Sequence, residues 1–120
     1  MTTSRLRVLS VIGTRPEAIK LAPVILALEE QAEAIESRVC FTSQHRSLVE
    51  DVLTAFAIKP HRDLAVMTPG QTPSRVAARV LEGMEEVLAE EHPDVVIVQG
   101  ETDIAKQIGD LVASSHASSP

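Results

Sequence analysis

The sequence predicts an α/β protein in which helices cover both faces of a parallel sheet with strand order 3-2-1-4. Three observations support this prediction. The predicted strands 7–12 and 95–98 are mainly apolar and do not alternate between apolar and polar residues, which is typical of strands buried on both faces. A helical pattern follows each predicted strand, so strand and helix alternate along the chain. The core must be aliphatic, because 44% of the 120 residues are hydrophobic but only 2% are aromatic.

The first strand, residues 7–12, leads into the first helix. Thr14-x-x-Glu17 has the spacing of a capping box, which predicts the helix start. Pro23 lacks the N–H that would bond the carbonyl of Ile19, so we expect a kink or restart there. The glutamates of the last turns are expected in solvent: Glu29, Glu30 and Glu33.

The next two units follow the same pattern. Residues 37–42 are the second strand, and the capping-box spacing of Ser47 and Glu50 marks the second helix. Residues 63–66 are a short third strand.

The third helix has the clearest start, because Thr72 is a good N-cap and Pro73 suits the first helical position. It is expected to run to about residue 91 with an apolar inner face. Its outer face is expected in solvent and carries Glu82, Glu85, Glu86, Glu90 and Glu91.

Residues 95–98 are the fourth strand and lead into a last helix. Residues 114–120 read as a polar tail with little means of packing.

Composition bears on the partners, the cysteine and the location of the protein. The net charge of −6 disfavours a nucleic-acid-binding or anionic-membrane surface, although a local cationic pocket remains compatible with it. Cys40, the one cysteine, lies in an apolar run and is expected to be a small buried residue. No signal-peptide pattern and no apolar run of about 20 residues is seen, so a cytoplasmic location is the default expectation.

Polar residues follow three neighbouring strands of the predicted sheet. Strands one and four are adjacent and their helices leave on opposite faces, which makes the gap between them a topological switch point. The turn after strand one carries Gly13, Thr14 and Arg15, with Lys20 further along the helix. We expect its backbone N–H groups to be bare and, with the two cations, to meet an anion.

The turns after strands two and four add Gln44, His45, Arg46, Gln99 and Glu101. Each candidate has a structural alternative. Arg15 could be a surface arginine, Lys20 could lie along its helix, His45 could be exposed, and Glu101 could complement a helix dipole. The histidines and the cysteine have no metal-ligand spacing, and neither a G-x-G-x-x-G nor a P-loop motif occurs.

Six segments occur in an order and spacing that is specific to one family: GTRPEAIK (13–20), LAPV (21–24), TSQHRSLVEDVL (42–53), PGQ (69–71), RVLEGMEEVL (79–88) and PDVVIVQG (93–100). Through them the sequence resembles the non-hydrolysing UDP-N-acetylglucosamine 2-epimerases over about residues 6–102. The resemblance implies two Rossmann-like domains in the B-type glycosyltransferase arrangement, with the active site between them. The chain would then be a truncated amino-terminal domain over residues 1–113, followed by the tail 114–120, with the second domain absent.

The resemblance also implies an activity. Such enzymes interconvert UDP-N-acetylglucosamine and UDP-N-acetylmannosamine for polysaccharide synthesis, by eliminating UDP and adding it back after inversion at C2. They use neither a metal nor a nicotinamide cofactor. Nearby cations suit this chemistry, because elimination of a diphosphate leaves negative charge.

By match to the motifs, Arg15 would bind the nucleotide phosphates, and Lys20 would serve in substrate binding and catalysis. Glu101 stands where the family usually has an active-site aspartate, and would bind substrate and act in catalysis. Asp103 is the alternative to it. The segments that hold a regulatory UDP-sugar in bacterial members would supply Gln44, His45, Arg46 and Gln71.

Two other functions stay open. The chain alone is expected to be inactive, so it could be a non-catalytic module that binds a UDP-sugar or another chain. An open edge at strand four could pair with a second copy or with a separately encoded remainder of the fold. A generic nucleotide-binding half-domain is the third alternative.

Overall fold

The fold is described here from a computed structural model covering residues 5–42, 46–64, 70–99 and 103–117. Strands and helices alternate along the whole of this part of the chain. In chain order the elements are β1 (Leu6–Ile12), α1 (Arg15–Glu30), β2 (Ile35–Phe41), α2 (Arg46–Ala55), β3 (Arg62–Asp63), α3 (Pro73–Glu91), β4 (Val95–Val98) and α4 (Asp103–Ala117). No helix in these ranges is long and apolar enough to cross a membrane.

The four strands form one parallel sheet in the order β3-β2-β1-β4, which confirms the predicted topology. β1 lies in the centre and pairs with β2 along its full length, from Leu6 opposite Ile35 to Ile12 opposite Phe41. On its other side, β1 pairs with β4 over four residues. β3 is only two residues long and lies at the outer side of β2.

Two apolar layers enclose the sheet. Alternate residues of β1 and β2 point to opposite faces, so each strand contributes to both layers. Ile12 and Phe41 pack under α1 and α2. On the other face, Leu9 and Cys40 pack under α3 and α4. The predicted burial of Cys40 is confirmed, and burial raises the pKa of its thiol to about 12.

The helix boundaries test several local predictions. At α3, Thr72 is the N-cap, and its hydroxyl accepts a hydrogen bond from the Arg75 N–H at 3.2 Å, as predicted. α1 runs unbroken through Pro23, so the predicted restart is wrong. Pro23 and the preceding turn at Ile19 face solvent, where water can bond the carbonyl that the proline leaves unpaired.

Two other helices also differ from expectation. α2 begins at Arg46, so Ser47 lies inside the helix and is not its N-cap. α4 continues to Ala117, so the first four residues of the segment predicted as a polar tail are helical.

Glu91 is not a solvated outer-face residue, and that prediction is wrong. It is 5% exposed at the end of α3, where it lies against the amino edge of the sheet, the edge where the strands begin. Its carboxylate accepts hydrogen bonds from Arg38 at 2.7 and 3.1 Å and from Arg62 at 3.1 Å. Its carbonyl accepts from the guanidinium of Arg7. The bonds from Arg38, and then those from Arg62, hold the pKa of Glu91 below its usual value although burial opposes them.

His61 fastens the start of β3 to β2. Its backbone N–H donates to the carbonyl of Val39 at 2.8 Å, and its Nδ1 accepts from the Val39 N–H at 2.9 Å. Nδ1 can accept only when it carries no proton. Loss of water around the imidazole lowers the pKa of His61, and the positive charge of Arg38 adds to this effect. Glu91 and His61 therefore both hold β3 in place from the amino edge.

Candidate ligand site at the carboxyl edge of the sheet

The strands β2, β1 and β4 end side by side, and we call this the carboxyl edge of the sheet. Ile12 is opposite Phe41, and Val11 is opposite Val98. The Thr42 N–H continues the β1–β2 pairing by donating to the carbonyl of Ile12 at 2.9 Å. The segments that follow these three strands therefore start at one edge, which confirms the predicted convergence.

The topological switch point lies between β1 and β4, as the predicted strand order requires. The helix that follows β1 packs on one face of the sheet, and the helix that follows β4 packs on the other. A crevice beyond the ends of two such strands is the usual ligand position in open α/β sheets.

The turn between β1 and α1 is closed by a glutamate. Oε1 of Glu17 accepts a hydrogen bond from the Gly13 N–H at 2.8 Å and another from the Thr14 N–H at 3.3 Å. The bond to Thr14 is the one that the capping-box spacing predicts, whereas the spacing gives no sign of the bond to Gly13. The expectation that the N–H groups of this turn are bare is therefore wrong for both residues.

Arg15 and Lys20 are both exposed on α1. Arg15 is the first residue of the helix, directly after the Thr14 N-cap. Lys20 lies about 7.5 Å further along the helix axis and about 140° around it, from the geometry of an α-helix. The side of α1 opposite Lys20 is buried through Ala22 and Ile25, whereas Arg15 is exposed because it lies at the very start of the helix. Within the described ranges, neither cation has an ion pair or a side-chain hydrogen bond.

The residues predicted to hold a regulatory ligand are placed only in part. Gln71 is half-buried just before the N-cap of α3, and that helix starts on the carboxyl side because it runs antiparallel to the strands. Arg46 is the first residue of α2, but its side chain lies outside what the structure describes. Gln44 and His45 fall in an undescribed segment.

The predicted carboxylate also stays a prediction. Glu101 lies outside the described residues, and Asp103 is known only as the first residue of α4. The described part of the site thus comprises two exposed cations on different sides of α1 and, at the carboxyl edge, a turn in which Glu17 occupies the N–H groups of Gly13 and Thr14. Because the N–H groups of Gly13 and Thr14 are occupied, this part of the site can bind an anion through the side chains rather than through those two N–H groups.

Comparison with known proteins places this geometry in one family. The sequence model described as UDP-N-acetylglucosamine 2-epimerase matches residues 12–116. A UDP-N-acetylglucosamine 2-epimerase of Yersinia pestis is 52% identical over 97 residues, covering 81% of this chain but 26% of that protein. The chain therefore spans about a quarter of the length of the curated relatives it matches.

Solved structures agree with the sequence matches. A putative UDP-N-acetylglucosamine 2-epimerase from Listeria monocytogenes superposes with a TM-score of 0.86 at 43% identity, covering 95% of this chain and 30% of that one. The Neisseria meningitidis UDP-GlcNAc 2-epimerase, solved bound to UDP-GlcNAc, gives 0.82 at 40% identity, with coverage of 93% and 30%.

Proposed function

The chain belongs to the UDP-N-acetylglucosamine 2-epimerase family, and we propose that its carboxyl edge forms the nucleotide side of a UDP-N-acetylglucosamine site. One observation carries the proposal. Arg15 is an exposed cation with no ion pair in the described ranges, and it lies at the start of α1 beside the switch point. A diphosphate placed there would meet a guanidinium whose hydrogen-bonding groups are available for bidentate contact.

The reaction would be epimerisation at C2 of the sugar. In the elimination, the C2–H bond and the bond from C1 to the diphosphate oxygen break, so a proton and UDP leave and a C1–C2 double bond forms. Re-addition of UDP and of a proton from the other face gives the C2 epimer. Arg15 and Lys20 would stabilise the charge on the leaving UDP, and Glu101 would supply the carboxylate next to the sugar.

The isolated chain is proposed to bind without turning over. Its curated relatives are about three times as long, since 97 matched residues are 26% of one of them, so most of their length has no counterpart in these 120 residues. The regulatory role of Gln44, His45, Arg46 and Gln71 and the cytoplasmic location remain predictions from the sequence.

Calorimetric titration with UDP tests the proposed site. We expect binding by the 120-residue chain, and we expect Arg15→Ala to weaken it by about tenfold or more, because hydrogen bonds to charged groups contribute about 1.5–3 kcal/mol. Arg5→Ala is the matched control, since Arg5 is an exposed arginine at the opposite edge of the sheet. An affinity that Arg15→Ala and Arg5→Ala leave equally unchanged would contradict the assignment.

A second function is favoured by the open side of β4. In the described ranges β4 pairs only with β1, and its four residues are all apolar, with Val95 42% exposed. Unpaired apolar edges favour strand addition by another chain. We propose that β4 pairs with β4 of a second copy when the remainder of the family fold is not supplied.

Light scattering after size-exclusion chromatography tests this pairing. We expect a mass near twice 12.9 kDa at high concentration, and we expect Val95→Lys to shift it towards the monomer. Leu6→Lys is the control, because Leu6 is equally exposed at 45% but starts the central strand. A monomer at every concentration would rule out the self-pairing.

A further inference from the structure

Glu17 occupies the position where an anion would be expected to bind. The amino end of a helix attracts anions through its unpaired N–H groups and its dipole. In this structure one carboxylate oxygen already accepts from Gly13 and Thr14, and its side chain is half-buried in the turn. The negative charge of Glu17 therefore takes the role that a bound phosphate takes in other strand–turn–helix units.

Proline closes the turn further. Pro16 follows Arg15 and has no N–H to offer. Three backbone positions of the turn, at residues 13, 14 and 16, thus have no donor for a ligand. What the turn still presents is Arg15, through its own N–H and through its side chain, which is exposed and without an ion pair in the described part of the chain.

We propose that Glu17 is a positioning residue that closes the β1–α1 turn to phosphate and assigns phosphate recognition to the side chain of Arg15. The inference rests on the proposed UDP-sugar site and deepens it. By bonding two consecutive N–H groups, Glu17 fixes the backbone that leads into Arg15, and so fixes the point from which its side chain extends. By its charge, it disfavours a phosphate seated on the helix end itself.

The consequence is a preference for one shape of anion. A single phosphate would gain most from a bare helix end, which Glu17 denies it. A nucleoside diphosphate can lie beside the turn, where a guanidinium can span two of its oxygens while the nucleoside makes contacts elsewhere. Glu17 would therefore raise the selectivity of the site for a diphosphate over inorganic phosphate.

Two variants separate the roles of Glu17. Glu17→Ala removes both the acceptor and the charge, whereas Glu17→Gln keeps a carbonyl oxygen that can accept from the same two N–H groups. Glu30→Ala is the matched control, because Glu30 is an exposed glutamate at the other end of α1. All three are to be compared with the unchanged chain by ¹H–¹⁵N correlation spectra, at a temperature where each is folded.

Inorganic phosphate and UDP serve as the probes. In the unchanged chain and in Glu30→Ala, we expect phosphate to leave the amide signals of Gly13 and Thr14 in place. In Glu17→Ala we expect phosphate to shift both signals. We also expect UDP to bind about tenfold more weakly, because Glu17 no longer fixes the backbone that leads into Arg15. Glu17→Gln should keep the UDP affinity within about threefold, because it keeps the acceptor.

A purely structural role for Glu17 gives a different pattern. Glu17→Ala would then lower the folded fraction without any gain in phosphate binding at Gly13 and Thr14, and the inference would be wrong. It would also be wrong if phosphate already shifted these two amides in the unchanged chain. The proposed function fails separately, if UDP does not bind the unchanged chain while phosphate still moves the amides of Glu17→Ala.

Discussion

Replacing Glu91 by alanine is expected to lower the free energy of unfolding by about 3 kcal/mol, as is typical when one partner is removed from a buried ion pair. Glu91 is 5% exposed, and two of the hydrogen bonds that its carboxylate accepts come from Arg38. Its removal leaves the Arg38 guanidinium without its partner at a position where water reaches it only in part. Urea unfolding followed by circular dichroism measures the loss.

Glu90→Ala is the matched control for this substitution. Glu90 is the preceding glutamate of α3, but its side chain is 59% exposed and makes one ion pair, with Arg62. Exposed pairs contribute little to stability, so we expect Glu90→Ala to change the unfolding midpoint far less. Equal losses for the two variants would show that the burial of Glu91 is not what matters.

The same cluster predicts how stability depends on pH. The pKa of Glu91 is lowered in the folded chain from its usual 4.5, so its contribution is complete above that value and is lost as pH falls through the lower, folded pKa. The pKa of His61 is lowered from 6.5, so its contribution is complete above 6.5 and declines as pH falls below it. Protonation of either group in acid therefore lowers the free energy of unfolding. Glu91→Ala should abolish the part of this loss that occurs below pH 4.5.

Replacing Phe41 by alanine is expected to cost about 4 kcal/mol of unfolding free energy, the usual size for a large buried aromatic side chain. Phe41 is 1% exposed at the end of β2 and is among the largest side chains of the core under α1 and α2. The cavity would form directly beneath the carboxyl edge. We therefore expect UDP binding, where it is observed, to weaken together with stability.

Phe56→Ala is the matched control, since the chain has only two phenylalanines. Phe56 is 37% exposed just after α2, so the same change in side-chain volume should cost much less. The two variants are best compared by chemical denaturation under one condition. A similar loss for both would contradict the burial pattern that defines the core.

The fold could be predicted well where local signals agree with each other. The apolar run of Val95–Val98 and the start of α3 at Thr72 and Pro73 are both as expected. Helical periodicity predicts the wrong environment for Glu91, because it sorts residues by face and takes no account of what lies beyond the helix end. Its partner Arg38 is 53 residues away in the chain and is brought to it only by the order of the strands.

The site could be predicted only as a set of neighbouring turns. Strand order alone brings Gly13, Thr42 and Gln99 to one edge, and this needs no side-chain information. The bond from Gly13 to Glu17 could not be foreseen, because it depends on how the chain enters the helix rather than on residue spacing. Glu101 remains a prediction, since it lies outside the described residues.

The central position of β1 has a consequence for how the chain folds during synthesis. β1 meets β2 after a short α1 crossover, but the bond from the Arg7 N–H to Asp94 on its other side spans 87 residues. Closing so long a loop is slow, and β4 cannot join until residue 98 has left the ribosome. During that interval the side of β1 that later pairs with β4 is an unprotected apolar edge, so a nascent chain of this kind is most exposed to aggregation or chaperone capture before residue 98 emerges.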